Sequence, residues 1–146
     1  DHGILITQEG YAKEVLKKFK MDDANPVSTP MECGIKLSKL EEGETVDPSL
    51  FKSLVGSLRY LTCTRPDILY AVGVVSRYME HPTTTHLKAA KRIFRYIKGT
   101  TNLGLYYSIS DDYKLVGYSD SDWGGDVCND PIFSKSIFYI FAYILG

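Results

Sequence analysis

The stretch Y-S-D-S-D-W-G-G-D at residues 118–126 places three carboxylates, Asp120, Asp122 and Asp126, and a Gly-Gly turn within nine positions. Carboxylates two residues apart are raw material for a divalent-cation site, because Mg2+ and Ca2+ both take hard oxygen donors. The calcium-loop pattern fails here. Counted from Asp120, positions 1, 3 and 6 fit as Asp120, Asp122 and Gly125, but position 5 is Gly124 and position 12 is Pro131, so the terminal ligand is missing. A two-metal nuclease site instead gathers several carboxylates from separate parts of a fold to hold ions about 4 Å apart. Asp120, at the end of the alternating run K-L-V-G-Y-S-D, has the strand placement such a site uses. Spacing alone fits a solvated acidic turn before Gly-Gly equally well.

The second group with chemical potential is cationic. Lys88, Lys91, Arg92, Arg95 and Lys98 recur at i, i+3, i+4, i+7 and i+10. On a helix they share one broad face, opposite the apolar residues Leu87, Ala90, Phe94 and Ile97. No acid lies between Glu80 and Asp111 to neutralise them. Solvated helix faces usually mix signs and gain i,i+4 pairs. This face repels itself, which a polyanion would relieve: phosphate contacts by Lys and Arg give sequence-independent, salt-sensitive binding. The plainer alternatives are a solvated face or contact with an acidic neighbour.

The elements that must position these groups follow from periodicity. G-I-L-I-T (3–7) reads as a short strand, and Thr7 can cap a helix over 8–20 with Tyr11, Val15, Leu16 and Phe19 on one side. Residues 22–34, with Pro26, Pro30 and Gly34, form an extended connector, continued by an acidic loop over 39–47. Asp47-Pro48 starts a helix whose buried stripe is Leu50, Leu54, Leu58 and Leu61. Arg65-Pro66-Asp67 ends it and opens another, with Ile68, Val72, Val75 and Met79 inward, closed by Pro82. Thr84 or Thr85 caps the basic helix, 84–98. The period then changes to two: 103–108 and 114–120 are strands joined by the turn I-S-D-D, and S-I-F-Y-I-F-A-Y-I-L is a third. There are no internal repeats.

The formal net charge of -1 hides a segregation. Residues 48–108 hold nine Lys/Arg against two acids, while residues 1–47 and 109–146 are each net -4. Cys33, Cys63 and Cys128 form no C-x-x-C pair, and His2, His81 and His86 complete no zinc pattern, which points to a reduced intracellular (cytoplasmic or nuclear) setting. The start has no basic segment followed by an apolar run, so it is no signal peptide. It also lacks an initiator Met, as expected of a chain cut from a longer one. The apolar tail includes Lys135 and falls short of the roughly 20 residues a membrane helix needs, which favours an aggregation-prone strand over an anchor.

Six ordered blocks then identify a family. Y-A-K-E-V-L-K-K-F-K-M, P-V-S-T-P-M, L-V-G-S-L-R-Y-L-T-C-T-R-P-D-I-L-Y-A-V, S-R-Y-M-E-H-P-T-T-T-H-L-K-A-A-K-R-I-F-R-Y-I-K-G-T, L-G-L-Y-Y-S and G-Y-S-D-S-D-W-G-G-D span about residues 3–126. They resemble the Pol polyprotein of copia-type LTR retrotransposons in its plant-like form, at the end of the reverse transcriptase and the start of the RNase H domain. The resemblance implies an α+β chain. Residues 1–30 end the palm and enter the thumb; 31–47 are a linker; 48–102 are a helical thumb/connection segment; 103–146 begin an incomplete antiparallel RNase H-like meander. It implies template–primer or RNA–DNA hybrid contact through Lys88, Lys91, Arg92, Arg95 and Lys98. It also makes Asp120 the first Mg2+-binding carboxylate of RNase H and gives Asp122 no role. The paired polymerase aspartates belong upstream; no Tyr-x-Asp-Asp occurs, and S-D-D-Y at 110–113 is a turn.

After Asp126 the resemblance stops. Lys135-Ser136 is the one remnant of the expected second strand, and Pro131 intrudes. The expectation is therefore a truncated, catalytically inactive Pol piece that binds no Mg2+ alone and lacks its palm and RNase H remainder. The alternatives are a residual nucleic-acid-binding module using helix 84–98, and an RNase H active only when completed in trans. No membrane partner is expected.

Overall fold

Asp47 and Pro48 set the start of a core-forming helix as their types require. The Asp47 carboxylate accepts from the Ser49 N–H at 2.9 Å, and Pro48, which has no N–H to leave unsatisfied, takes the first helical position of α2 (Pro48–Leu61). The computed structural model describes residues 3–39, 43–108, 114–116 and 143–145 of the 146. Before α2 come the strand β1 (Gly3–Thr7) and helix α1 (Glu9–Lys18). After it come a 3-10 turn (Pro66–Ile68), α3 (Leu69–Ser76), α4 (Thr84–Lys98) and the strands β2 (Gly104–Ser108), β3 (Lys114–Val116) and β4 (Tyr143–Leu145). None of the described helices is long and apolar enough to cross a membrane.

The chain divides into two compact units, residues 6–105 and residues 1–5 with 106–146. In the first, α1, α2, α3 and α4 enclose one apolar core. Its fully buried members include Phe51, Leu54, Leu58, Leu61, Ile68, Val72, Val75, Ile93, Phe94 and Ile97. Phe19 and Phe94 join α1 to α4 with ring centres 5.4 Å apart. Burying a side chain of this size contributes roughly 1.5–3 kcal/mol, which is why packing rather than helix propensity sets these elements.

Three local expectations are corrected. The α2 stripe is Phe51, Leu54, Val55, Leu58 and Leu61, while Leu50 is 46% exposed. The larger Phe51 takes the inward position, and a one-residue step turns a helix by about 100°. Gln8, not Thr7, precedes α1, because Thr7 is still paired in β1. Thr83, not Thr84 or Thr85, caps α4. Its backbone N–H donates to His86 Nδ1 at 3.0 Å, the reciprocal half of a capping box.

α1 ends in a Schellman turn. The Met21 N–H reaches the Leu16 carbonyl at 2.8 Å and the Lys20 N–H reaches that of Lys17 at 3.0 Å, while Met21 is buried. The left-handed residue this turn requires is Lys20, at φ 55°, where glycine is usual.

β1 pairs with β2, and β3 pairs antiparallel with β4 in the register Lys114↔Leu145, Leu115↔Ile144, Val116↔Tyr143. A hairpin joining the strands at 103–108 and 114–120 is not among the described pairings, and its turn at 109–113 lies outside the described residues. Gly104 is required where it is: a Cβ there would run into the Ile6 carbonyl.

Candidate nucleic-acid interface

α4 carries the cationic face. Thr83, Thr84 and His86 fix its first turn from three sides. The Thr84 N–H donates to the Glu44 carbonyl at 3.0 Å, and the Val46 N–H donates to that of Pro82 at 2.9 Å. His86 is fully buried and stacks on Tyr78 at 4.0 Å. Because its Nδ1 accepts from Thr83, the proton belongs on Nε2, which faces the Ser38 carbonyl at 3.1 Å. Tyr78 donates to the Leu37 carbonyl at 2.8 Å. The end of the connector is thus pinned to α4 by two buried aromatic groups. Periodicity did not flag His86, because a histidine one turn into a helix looks solvated.

The five predicted cations divide into two kinds. Lys88 and Lys91 are exposed and Lys98 is half-buried, and these three make no ion pair or hydrogen bond among the described residues. Arg92 and Arg95 are claimed by the connector. Arg92 Nη1 meets the Glu32 carboxylate at 2.7 Å, and its Nη2 donates to the Thr29 hydroxyl at 3.1 Å. Arg95 Nε donates to the Asn25 carbonyl at 2.6 Å. A self-repelling face without any acid was the expectation; Glu32 corrects it, arriving from 60 residues away, where helical spacing cannot see it.

A second polar cluster sits at the far end of α4. Arg65 is only 3% exposed. Its Nε and Nη2 take the two Asp67 oxygens at 2.9 and 2.8 Å, and its Nη1 and Nη2 take the Thr100 carbonyl and hydroxyl, each at 2.7 Å. Thr100 directs its own hydroxyl proton to the Tyr96 carbonyl at 2.8 Å. Partial burial pushes the Asp67 carboxyl up, but hydrogen bonds from Arg65 and Tyr96 and the Arg65 charge outweigh it, so its pKa lies below the usual value. Burial, the bond to Asp67 and its charge raise the Tyr96 hydroxyl. This cluster ties the α2–α3 corner to the end of α4. From sequence, Arg65-Pro66-Asp67 marked only a helix boundary.

Asp120, like Asp122, lies outside the described residues, as do the Lys135-Ser136 remnant and most of the apolar tail. Among the described residues no three His, Cys, Asp or Glu gather into a metal-holding group.

Comparison with known proteins decides the family. The chain is 44% identical, over 85% of its length, to the retrovirus-related Pol polyprotein from transposon RE1 of Arabidopsis thaliana. It is 43% identical, over 97% of its length, to that from transposon TNT 1-94 of Nicotiana tabacum. The chain belongs to the Pol polyproteins of copia-type retrotransposons. A third such Pol polyprotein, from transposon RE2 of Arabidopsis thaliana, is 40% identical over 85% of the chain. The chain spans 8% of the length of the RE1 Pol polyprotein and 11% of the TNT 1-94 one. No family model and no solved structure matches it.

Proposed function

We propose that the chain is the segment of a copia-type Pol polyprotein that runs from the end of the reverse transcriptase into RNase H, and that its part in that protein is to hold the nucleic-acid backbone. The observation that carries this reading is the row of exposed Lys88 and Lys91 and half-buried Lys98 on α4, a helix with no acid of its own, in a chain of the Pol family. Arg92 and Arg95, held by the connector, brace that row rather than lead the contact. Lysine contacts to phosphates read no bases, which suits a protein that must accept any template.

In the same reading the strands from β2 onward begin the RNase H sheet, and Asp120 supplies the first carboxylate of its Mg2+ site. One carboxylate plus waters holds Mg2+ poorly, so the chain by itself cleaves no hybrid. Appearance of Mg2+-dependent cleavage that Asp120→Asn abolishes would overturn that part.

The binding test is a titration of a labelled RNA–DNA hybrid at several salt concentrations. Affinity is expected to fall with salt. The logarithmic slope should shrink by about 0.9 for each phosphate that Lys88→Glu, Lys91→Glu or Lys98→Glu leaves without its cation. Binding indifferent to salt, or untouched by the triple reversal, refutes the reading.

A further inference from the structure

Arg92 holds an incomplete arrangement that Arg65 shows complete. Arg65 uses its side-on edge, Nε with Nη2, to grip both oxygens of Asp67 at 2.9 and 2.8 Å. That paired geometry is the one by which guanidinium groups recognise carboxylates and phosphates. On Arg92 the same edge is half used. Nη2 donates to the Thr29 hydroxyl at 3.1 Å, while Nε is buried with no hydrogen-bond partner. The Glu32 carboxylate engages Nη1 and leaves Nε without an acceptor. A buried guanidinium donor without an acceptor is costly, and the other nitrogen of the same edge, Nη2, already holds one specific oxygen, Thr29 Oγ1. Thr29 itself is exposed, lies in the extended connector and is followed by Pro30, the setting that proline-directed kinases accept.

We infer that Thr29 is a phosphorylation site whose phosphate is seated on the Nε/Nη2 edge of Arg92. The reaction is phosphoryl transfer from a nucleoside triphosphate, carried out by a separate proline-directed kinase. The Thr29 Oγ–P bond forms, the bond from the γ-phosphorus to its bridging oxygen breaks, the nucleoside diphosphate leaves, and the hydroxyl proton passes to the kinase's base. The product carries a charge of about -1.5 to -2 and three strong acceptor oxygens, against the single weak acceptor that Arg92 Nη2 now has. Arg95, one turn further along α4 and anchored at Asn25, adds a second positive charge beside the same connector. Ser28 has the same chemistry but no bond to Arg92 and no following proline, so it serves as the internal control.

The test uses the whole chain, a proline-directed serine/threonine kinase and ATP. One phosphate is expected by intact mass, located to Thr29 by fragmentation, absent from Thr29→Ala and retained in Ser28→Ala. Phosphorus NMR then follows the second ionisation of the phosphate, ordinarily near pKa 6. Seating on Arg92 stabilises the dianion, so the titration should lie below that of a phosphorylated peptide of residues 22–37. In Arg92→Lys, which keeps the charge and loses the fork, it should return toward the peptide value; helical circular dichroism checks that this variant folds. Hydrogen exchange across residues 22–37 should slow on phosphorylation in the wild type, an independent readout if Arg92→Lys unfolds. Modification at Ser28 instead, no modification of Thr29, or a phosphate that titrates like the peptide overturns the inference.

Discussion

Removing either half of the Arg65–Asp67 pair should destabilise the helical unit, but unequally, and the inequality follows from burial. Asp67→Asn leaves a cation that is 3% exposed and still bonded to Thr100 through Nη1 and Nη2, yet without its counter-charge. Stranding a buried charge in this way costs about 3–5 kcal/mol. Arg65→Met keeps an unbranched stem in the same space and strands a carboxylate whose side chain is 34% exposed and keeps a donor in Tyr96. Solvent screens that charge, so the loss is nearer the roughly 1.5–3 kcal/mol of a hydrogen bond to a charged group. Against a total of about 5–15 kcal/mol for an ordinary domain, either change is large and the first can be ruinous. The double variant should be less destabilised than Asp67→Asn alone, because no buried charge is left behind.

The pH dependence has a definite sign. The Asp67 carboxyl is held below its usual value in the folded chain, so its stabilisation is complete above the ordinary carboxylate range and is lost as pH falls through the folded value. The gap between wild type and Asp67→Asn should therefore close in acid, where a protonated Asp67 no longer balances Arg65 either. Urea unfolding followed by circular dichroism at a series of pH values measures both effects. If Arg65→Met costs more than Asp67→Asn, or if the gap persists in strong acid, the pair is not acting through buried charge.

Two further substitutions test the backbone. Lys20→Gly should stabilise the chain by about 0.5–1 kcal/mol, because the left-handed turn position costs a side-chain-bearing residue about 1–2 kcal/mol and glycine's greater entropy loss on folding offsets part of it; thermal unfolding reads it directly. Gly104→Val should break the β1–β2 pairing, since even the first carbon of a side chain meets the Ile6 carbonyl. Hydrogen exchange should then rise at residues 3–7 and 104–108 while α2 and α4 stay protected; unchanged exchange at Ile6 would refute the close approach.

What sequence pattern revealed was what is local. The helix start at Pro48, the helix over 84–98, the break at Pro66 and the Asp47 cap all depend on residues a few positions apart, and each stands where the pattern put it; α2 stops at Leu61, short of the expected end at Arg65. Errors of one step, Leu50 for Phe51 and Thr84 for Thr83, came from choosing between adjacent residues with similar preferences. Contacts that close long loops were illegible. Glu32 neutralises Arg92, Thr100 receives Arg65, Leu37 and Ser38 are fixed by Tyr78 and His86, and β2 lies beside β1. None of these leaves a periodic trace. Helical spacing put the five cations of α4 on one face, and the difference between untethered Lys88, Lys91 and Lys98 and tethered Arg92 and Arg95 needed the fold. Asp120 came from family likeness alone.

The strand pair has a mechanical consequence. β1 and β2 lie side by side, although almost a hundred residues separate them in the chain. Within residues 6–105 the first and last positions, Ile6 and Leu105, both lie in this strand pair. A pull on the polypeptide from either side, such as a motor or a translocating nucleic acid would exert, loads those few strand hydrogen bonds first. The helices and their core feel no tension until the pair has parted. The two strands act as a fuse: they decide at what force this module stops being a bystander in a longer chain.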